Sequence, residues 1–552
     1  MAALAPAYRP RKPTETLLYG VVREHLATFL AHACETYQAP LPRYVQNELR
    51  GYLRCGVFAY GFVRAHCDAC GHDLLVAFSC KARAACPSCA GRRMANTAAH
   101  LVDRVLPSVP VRQWVLSLPF ELRRLAAFDA KMLTAFVRIF AEALADRYRR
   151  WGVEQIGTAC ESGAITFVQR FGSSLNLNVH FHVVMLDGVF VRDSRARAIF
   201  HHAPLPSRDE LEGVVERTRC RIRAWLARHG YVDAAPLEER TNELPLQTSL
   251  DACADIAMRR GTVETNARWK EEGASGAESA PPRGADAFAR DGFNLHASVR
   301  VEADDDLGRE RLCRYGARPP FSLERLRRLP HGELGYRIKK TRGGSAKVLR
   351  MTPLELLARL AALVPPPRYP LVRYHGVLAP RSPWRKSVVP RIGAATIAAR
   401  HAHPEKPGAE GRNAGLARRD AKSVSATRNG YKQRSSNAAL PHSSRESSVP
   451  GAMLVAPNVI AVRHWERLCG GLLFATSPRV PWATLLRRTF EVDVLTCAQC
   501  AGRLRILGAV EDPVIARDIL ERLGLPIEAP AQVRARDPTM LEGDDEVEEM
   551  VE

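Results

Sequence analysis

The sequence lacks any uninterrupted apolar stretch of the roughly 18 residues that a transmembrane helix needs. Its first residues, MAALAPAYRPRKP, also lack the apolar core of a secretory signal peptide. We therefore expect neither a membrane protein nor an exported one, and we expect the chain in the cytoplasm. In a reducing compartment, clustered cysteine pairs indicate metal binding rather than disulfides.

Acidic residues are scarce relative to basic ones. The 552 residues include 80 Lys and Arg against 59 Asp and Glu, which gives a net charge of +21. The acids are also unevenly placed, because residues 537–552 hold eight of them and no base, which leaves residues 1–536 with a charge of +29. Such a basic body favours a polyanionic partner, with nucleic acid first. A surface rich in solvated arginine would give the same total.

Changes in amino-acid composition along the chain predict where its domains and linkers lie. A 46% hydrophobic content is enough for a sizeable core. A segment rich in Ala, Gly, Glu and Pro indicates a surface insertion, and one rich in Ser, Arg and Asn indicates disorder. We predict a helical, cysteine-bearing domain at 1–100, a mixed domain at 101–395 with an insertion near 261–290, a disordered basic linker at 396–455, a small C-terminal unit at 456–536 and an acidic tail at 537–552.

Two cysteine pairs stand in HCDACGHDLLVAFSCKARAACPSCAGRR. Cys67 and Cys70 form the first pair, and Cys86 and Cys89 form the second after fifteen residues. Two such pairs at this spacing are typical of a four-thiolate zinc site, in which each tight turn directs two sulfurs at one ion. The closed ligand set predicts structural zinc. Cys80 and His66 are alternative ligands, although Cys80 is also an ordinary small buried residue.

A third pair, Cys497 and Cys500, lies near the C-terminus in CAQC. It is half of a metal site, because no second pair is close in sequence. Zinc there would need distant or intermolecular ligands.

The stretch NLNVHFHVVMLDGVF places two histidines one residue apart in an apolar, alternating run. The alternation predicts a strand, on which His180 and His182 face one side and Phe181 the other. AITFVQRFG, residues 164–172, is predicted to be its antiparallel neighbour. Two packed histidines would also fit the pattern.

The histidine pair is a candidate metal site. Two neutral imidazoles leave coordination positions open, which suits Mg²⁺ or Mn²⁺ holding a substrate phosphate. Gln169 on the neighbouring strand is the candidate third ligand, and Asn178, on the same face as the histidines, is the alternative.

Three ordered motifs resemble a known family. CPSCAGRRMANTAAHLVDRVLPSVPVRQWVLSLPF, then FGSSLNLNVHFHVVMLDGVF, then ERLCRYGARPPFSLERL, are similar to the rolling-circle transposases of the insertion sequence 91 group. These belong to the HUH single-strand endonucleases, and a cysteine-rich zinc domain precedes the nuclease. The resemblance runs from about residue 8 to 380 and returns around VPWATLLRRTFEVDVLTCAQC. It implies an α+β fold: a helical, zinc-ribbon-like N-terminal domain, then a nuclease with a central antiparallel sheet flanked by helices.

The resemblance also implies residue roles. His180 and His182 match the metal-binding pair, and Tyr315 matches the nucleophile that attacks single-stranded DNA and forms a 5′-phosphotyrosine. The best-known members carry a second tyrosine four residues earlier, where this chain has Arg311, so a single-tyrosine scheme is expected. We expect DNA contacts from arginines near the zinc site and around the tyrosine: Arg92, Arg93, Arg311, Arg314 and Arg318.

The resemblance makes a bacterial transposase, bound to single-stranded DNA at the ends of its element and at its target, the leading hypothesis. A rolling-circle replication initiator or relaxase would share the chemistry. A zinc-dependent DNA-binding protein with an inactive nuclease is the alternative from another class. The sequence does not indicate the oligomeric state.

Overall fold

The computed structural model describes residues 10–231, 248–259, 263–265, 287–338, 347–390, 483, 485–486 and 493–536. The predicted basic linker, the acidic tail and most of the predicted insertion lie outside these residues. Helices and strands together form the α+β architecture that the sequence predicts.

The α-helices of the described residues are α1 (Leu17–Tyr37), α2 (Arg43–Arg54), α3 (Pro87–Arg104), α4 (Phe120–Phe128), α5 (Ala130–Ile156), α6 (Arg208–Arg228), α7 (Ser249–Met258), α8 (Asp306–Gly316), α9 (Pro353–Leu363), α10 (Arg385–Val388) and α11 (Pro513–Arg522). Short 3-10 turns lie at Pro13–Glu15, Phe58–Tyr60, Leu323–Arg325 and Pro330–Gly332. No helix among them is both long and apolar enough to cross a bilayer.

The strands are β1 (Phe62–Cys67), β2 (Asp73–Ala77), β3 (Val111–Ser117), β4 (Gly163–Phe171), β5 (Leu177–Leu186), β6 (Gly188–Arg192), β7 (Ala198–His202), β8 (Val263–Thr265), β9 (Ala287–Arg290), β10 (Phe293–Val301), β11 (Leu326–Arg328), β12 (Leu334–Arg337), β13 (Lys347–Met351), β14 (Val372–Gly376) and β15 (Leu504–Val510). Every pairing between them is antiparallel.

A six-stranded sheet with the order β14-β4-β5-β3-β10-β9 forms the centre of the molecule. Strand β5 lies inside it, between β4 and β3, and all ten of its residues are at most partly exposed. The predicted pair β4 and β5 is present, with Gln169 opposite His180 and Phe167 opposite His182. The continuous apolar run Val183–Leu186 in β5 fits this position because both faces of the strand are covered.

Helices cover the two faces of the central sheet. On one face Trp114 and Phe181 pack in a core with Phe136 of α5. On the other face Phe167 packs in a second core with residues of α3 and α8. Since His180 and His182 share that second face, the helices α3 and α8 determine what can reach them.

Local sequence explains where the key helices begin and end. Asp129 caps α5, since its carboxylate accepts hydrogen bonds from the backbone of Lys131 and Met132. Helix α8 ends at Gly316, just before Pro319 and Pro320, through which a helix cannot continue.

A smaller sheet of order β15-β1-β2 lies in the N-terminal region. Strands β1 and β2 form a hairpin, and β15 pairs with the other edge of β1 from Phe62↔Val510 to Cys67↔Leu504. The described part of the predicted C-terminal unit is therefore built onto the N-terminal domain. A four-stranded sheet, β11-β12-β13-β8, and the hairpin β6-β7 complete the described strands.

Candidate active site and metal centres

Strand β5 holds the predicted histidine pair in the interior of the central sheet. His180 and His182 are 7% and 3% exposed, and their ring centroids are 4.9 Å apart. Phe181 between them packs in the core on the opposite face. The alternation of the strand thus places two imidazoles side by side, as the sequence predicts.

Burial favours the neutral form of both imidazoles. It lowers the pKa of His180 to about 4, and the charge of Arg318 acts in the same direction. Burial also holds the pKa of His182 well below its ordinary value, with smaller contributions from His180 and Arg318. A neutral imidazole can offer a nitrogen lone pair to a metal ion.

Hydrogen bonds orient the two rings. His180 donates from Nδ1 to the backbone oxygen of Asn178 at 2.9 Å, which leaves the lone pair on its Nε2. Nδ1 of His182 lies 3.1 Å from the side-chain amide of Gln113 on β3, and its Nε2 is buried without a hydrogen-bond partner. Gln113 was not anticipated from the sequence, although it is a polar residue in a strand that is mostly buried.

The Gln113 amide can serve His182 in either of its two orientations. With its nitrogen toward Nδ1 it donates, and with its oxygen toward Nδ1 it accepts a proton from that nitrogen. The second orientation leaves the lone pair of His182 on Nε2. That is the usual arrangement of a metal-binding histidine, whose other nitrogen donates to a fixed acceptor.

Gln169 joins the sheet to α8. Its Nε2 donates to the backbone oxygens of Tyr315, at 2.8 Å, and Gly316, at 3.0 Å. Because two carbonyls must accept, the orientation of the amide is fixed, and its oxygen is directed away from α8. That oxygen is buried and has no hydrogen-bond partner.

Three buried polar atoms on this face therefore have no partner among the described atoms: Gln169 Oε1, Asn178 Oδ1 and His182 Nε2. Buried polar atoms in proteins are nearly always hydrogen-bonded, so three such atoms on one face of β4 and β5 call for an explanation. Two amide oxygens and imidazole nitrogens form a donor set that suits a divalent cation with open positions. The residues present fit the metal that the sequence motif implies.

Helix α8 brings Tyr315 to the histidine pair. The tyrosine ring meets the His182 ring edge-on, with the centroids 5.1 Å apart and the planes at 89°. The guanidinium carbon of Arg318 lies 4.4 Å from the centre of the tyrosine ring. The structure thus brings Tyr315 and Arg318 to His182, which lies more than 130 residues earlier in the sequence.

The close approach of α8 to the sheet depends on Gly316. A Cβ atom there would lie 2.6 Å from Cδ2 of Phe167, which is far inside van der Waals contact. The absence of a side chain lets the last turn of α8 rest on β4, one residue after Tyr315.

The other predicted DNA-binding arginines lie on the two helices that cover this face. Arg92 and Arg93 are exposed on α3, where Arg93 donates to the backbone oxygen of Lys81 at 2.8 Å. Arg311 is exposed on α8, and Arg314 forms an ion pair with Glu310 at 2.6 Å. Helices α3 and α8 pack against each other.

A basic cleft lies between the N-terminal domain and the end of α8. Arginines line it together with Gln169 and Gly316 of the site. These arginines are Arg83, Arg93, Arg170 and Arg318. Arg83 and Arg170 were not anticipated from the sequence. Arg83 donates to the backbone oxygens of Pro366 and Tyr369, and Arg170 donates to that of Ala362. These two arginines therefore also hold the walls of the cleft in place.

The four cysteines predicted to bind one zinc do not lie together. The structure places Cys86 and Cys89 with Cys55 and Cys80, and the sulfurs of all four lie within 4.8 Å of one another. Cys80 is thus part of a group, whereas His66 instead contacts Asp73. Cys55, at the end of α2, had no signal in the sequence because it is not part of a pair.

The other predicted pair, Cys67 and Cys70, lies with Cys497 and Cys500 within the same distance limit. The hairpin β1–β2 explains the separation. Cys67 and Cys70 lie at its tip, whereas Cys55 and Cys80 lie at its base, and a six-residue strand is roughly 20 Å long. The fifteen residues between the two pairs are therefore mostly the returning strand and its loop.

Two protein-family models match the chain. Residues 21–118 match the model described as "Transposase zinc-binding domain", of the IS91 type, and residues 163–386 match the model described as "Putative transposase". The chain belongs to the IS91-type transposases. No curated protein and no solved structure matches the chain.

The two matched ranges contain different groups of the residues described above. The first contains Cys55, Cys80, Cys86 and Cys89, and together with the four-cysteine groups it supports structural zinc. The second contains the histidine pair and Tyr315. A transposase acts on DNA, which accounts for the basic body of the chain.

Proposed function

We propose that this transposase cuts and rejoins single-stranded DNA with Tyr315 as the nucleophile, and so mobilises an insertion sequence by a rolling-circle-like mechanism. The observation that carries the proposal is the contact of the Tyr315 ring with His182, next to three buried polar atoms that lack partners. A tyrosine that only packed against the sheet would not require polar residues beneath it.

The chemical step is a transesterification. The phenolic oxygen of Tyr315 attacks the phosphorus, and the bond between phosphorus and the 3′ oxygen breaks. The phenol loses its proton, the departing oxygen gains one and becomes a 3′-hydroxyl, and the 5′ end stays on the tyrosine. Phenol has a pKa of about 10, so it is also a competent leaving group when a 3′-hydroxyl attacks in the reverse direction. Rejoining therefore needs no ATP.

The ligands of the divalent cation would be His180, His182 and Gln169, with Asn178 beside them. Mg²⁺ or Mn²⁺ bound there would polarise the scissile phosphate and offset its developing negative charge. Gln169 has a second task, because its amide nitrogen holds the backbone at Tyr315 and Gly316. One side chain thus links the position of the nucleophile to that of the phosphate.

The enclosure of the site favours an unpaired strand as substrate. Helices α3 and α8 pack together over the catalytic face of the sheet, and Tyr315 is only partly exposed. We expect the basic cleft beside these helices to accommodate an unpaired strand and to exclude a duplex. Arg93 and Arg318 line that cleft and would contact phosphates, with Arg92, Arg311 and Arg314 on the adjoining surface.

The test is covalent adduct formation with a labelled single-stranded oligonucleotide from the end of the element, in Mg²⁺ or Mn²⁺, resolved on a denaturing gel. We expect a metal-dependent protein–DNA band that is lost in Tyr315→Phe and His182→Ala. Tyr374→Phe is the matched control, because Tyr374 lies on β14 of the same sheet. This control should keep the adduct.

Other outcomes separate the alternatives. Binding of DNA without an adduct, by folded and zinc-loaded protein, would contradict the nuclease and favour a DNA-binding protein. An adduct that forms at a plasmid replication origin, but not at the ends of an element, would favour a replication initiator or relaxase.

A further inference from the structure

The second cysteine group joins the two ends of the described chain. Cys67 Sγ lies 3.5 Å from Cys500 Sγ, and Cys70 Sγ lies 3.6 Å from Cys497 Sγ, although 427 residues separate the latter two. A zinc ion with four sulfurs at about 2.3 Å has sulfurs about 3.8 Å apart. The four thiols therefore already stand near the corners of such a tetrahedron.

The two halves of the group have the same backbone geometry. In the first turn Gly71 donates to the backbone oxygen of Cys67 at 2.9 Å, and in the second Ala501 donates to that of Cys497 at 3.0 Å. Gly71 and Ala501 both have positive φ, at 75° and 58°. An alanine rarely adopts this conformation, so its presence indicates that the turn is held by its surroundings.

Each turn continues into the same small sheet. Strand β1 leads into the first turn, β15 leaves the second, and the two strands pair along their full lengths. The side chain of Arg505 bridges them by an ion pair with Asp68 at 3.1 Å. Helix α11 packs Leu520 against Phe62 of β1. The group is thus the end of a folded unit and not a chance meeting of loops.

We propose that Cys67, Cys70, Cys497 and Cys500 bind a second structural zinc ion, in a ribbon-like unit whose halves come from opposite ends of the transposase. The family match at 21–118 contains only the first two of these ligands. A closed set of four thiolates leaves no position for a substrate, so the ion has a structural role. It fastens the C-terminal segment to the N-terminal domain and encloses the catalytic sheet within one closed loop of chain.

Metal content of the full-length protein tests this proposal. We expect native mass spectrometry and elemental analysis to find two zinc ions per chain. The double variant Cys497→Ser/Cys500→Ser should retain one ion, and that retained ion would show that the N-terminal domain is still folded. The matched control is Cys34→Ser/Cys220→Ser, since both residues are exposed and lie outside the two groups. The control should keep two ions.

A second readout examines the ligands directly. Cobalt-substituted wild-type protein should show about twice the thiolate-to-metal charge-transfer absorption of the Cys497→Ser/Cys500→Ser variant. One zinc ion in the wild type, or two in that variant, would overturn the proposal. So would an intact mass lower by two hydrogens per cysteine pair under non-reducing conditions, since it would mean that the four thiols form disulfides.

Discussion

At the scale of single residues, the side-chain amides of Gln169 and Gln113 hold parts of the candidate site in position by hydrogen bonds. Gln169 is bonded to two backbone oxygens of α8, and Gln113 is bonded to the ring of His182. Neither amide carries a charge. Each can therefore position its neighbour without changing the net charge around the DNA phosphate of the proposed mechanism. The two amides explain how the proposed nucleophile Tyr315 and the proposed metal ligand His182, from distant parts of the chain, keep a fixed relative position.

Replacing Gln113 by leucine tests its role as a positioning residue. The change removes the hydrogen-bond partner of His182 Nδ1, and loss of such a partner typically weakens metal affinity by about 10–100-fold. We expect a matching increase in the Mn²⁺ concentration needed for half-maximal adduct formation, with the adduct yield restored at saturating Mn²⁺. Gln113→Glu, which keeps an acceptor for Nδ1–H, should restore the affinity. A loss that excess metal cannot restore in the leucine variant would mean that Gln113 acts through folding alone.

Single residues also show where prediction from sequence succeeded and where it stopped. The alternation of the strand placed His180 and His182 on one face, and the predicted neighbouring strand contained Gln169, which the structure places opposite His180. Gln113 and Cys55 could not be found this way, because their roles depend on elements that pack from elsewhere in the chain. The cysteine spacing identified four members of the two cysteine groups but could not show that a hairpin separates them into those groups.

At the scale of elements, the buried carboxylate of Asp187, directly after β5, connects that strand to β3, β10 and α5. Asp187 is fully buried and accepts two hydrogen bonds from Arg112 of β3, both at 2.9 Å. It also accepts from Arg300 of β10 at 2.8 Å and from Tyr148 of α5 at 2.9 Å. The strand that carries the histidines is thus held in register at its far end.

The variant Asp187→Ala should therefore destabilise the fold strongly. It leaves the buried Arg112 guanidinium without its carboxylate, and breaking a buried pair in this way costs about 3–5 kcal/mol. We expect a decrease of that size in the free energy of unfolding, measured by denaturant titration of zinc-loaded protein. Asp518→Ala removes an exposed partner of Arg522 and should cost less than about 1 kcal/mol. Equal effects of the two changes would mean that Asp187 is not a structural centre.

The elements themselves were largely predictable. Apolar periodicity in the sequence is sufficient to predict α5, α6 and α9, and Pro319 and Pro320 are sufficient to predict that α8 ends before them. The pairing of β15 with β1 was not predictable, because a short exposed strand gives no sign of a partner more than 400 residues away in sequence. Strand pairing over such separations is set by the folded core and not by local pattern.

At the scale of the whole molecule, the charge of +29 over residues 1–536 should appear in the salt dependence of DNA binding. For a single strand, each phosphate contact adds about 0.7 to the slope of log affinity against log salt concentration. We expect Arg93→Ala/Arg318→Ala to reduce the slope by roughly 1.4 in a fluorescence-anisotropy titration of single-stranded DNA.

An equal loss of charge elsewhere serves as the control. Arg517 and Arg522 are exposed on α11, where they pair with Glu521 and Asp518. The variant Arg517→Ala/Arg522→Ala should leave the slope unchanged. If both double variants reduce the slope equally, DNA affinity depends only on the net charge of the protein, and the arginines of the cleft contribute no more than other surface arginines.

The pairing of β1 with β15 also affects when the N-terminal domain can finish folding during synthesis. Ribosomes add about 5–20 residues per second, so the 427 residues between Cys70 and Cys497 take roughly 20–90 s to appear. Throughout that interval β1 has one unpaired edge, and the thiols of Cys67 and Cys70 have no partners from the second turn. The N-terminal domain is therefore synthesised well before the strand that completes its sheet. A chain cut short before residue 497 would leave that edge open to proteases and chaperones.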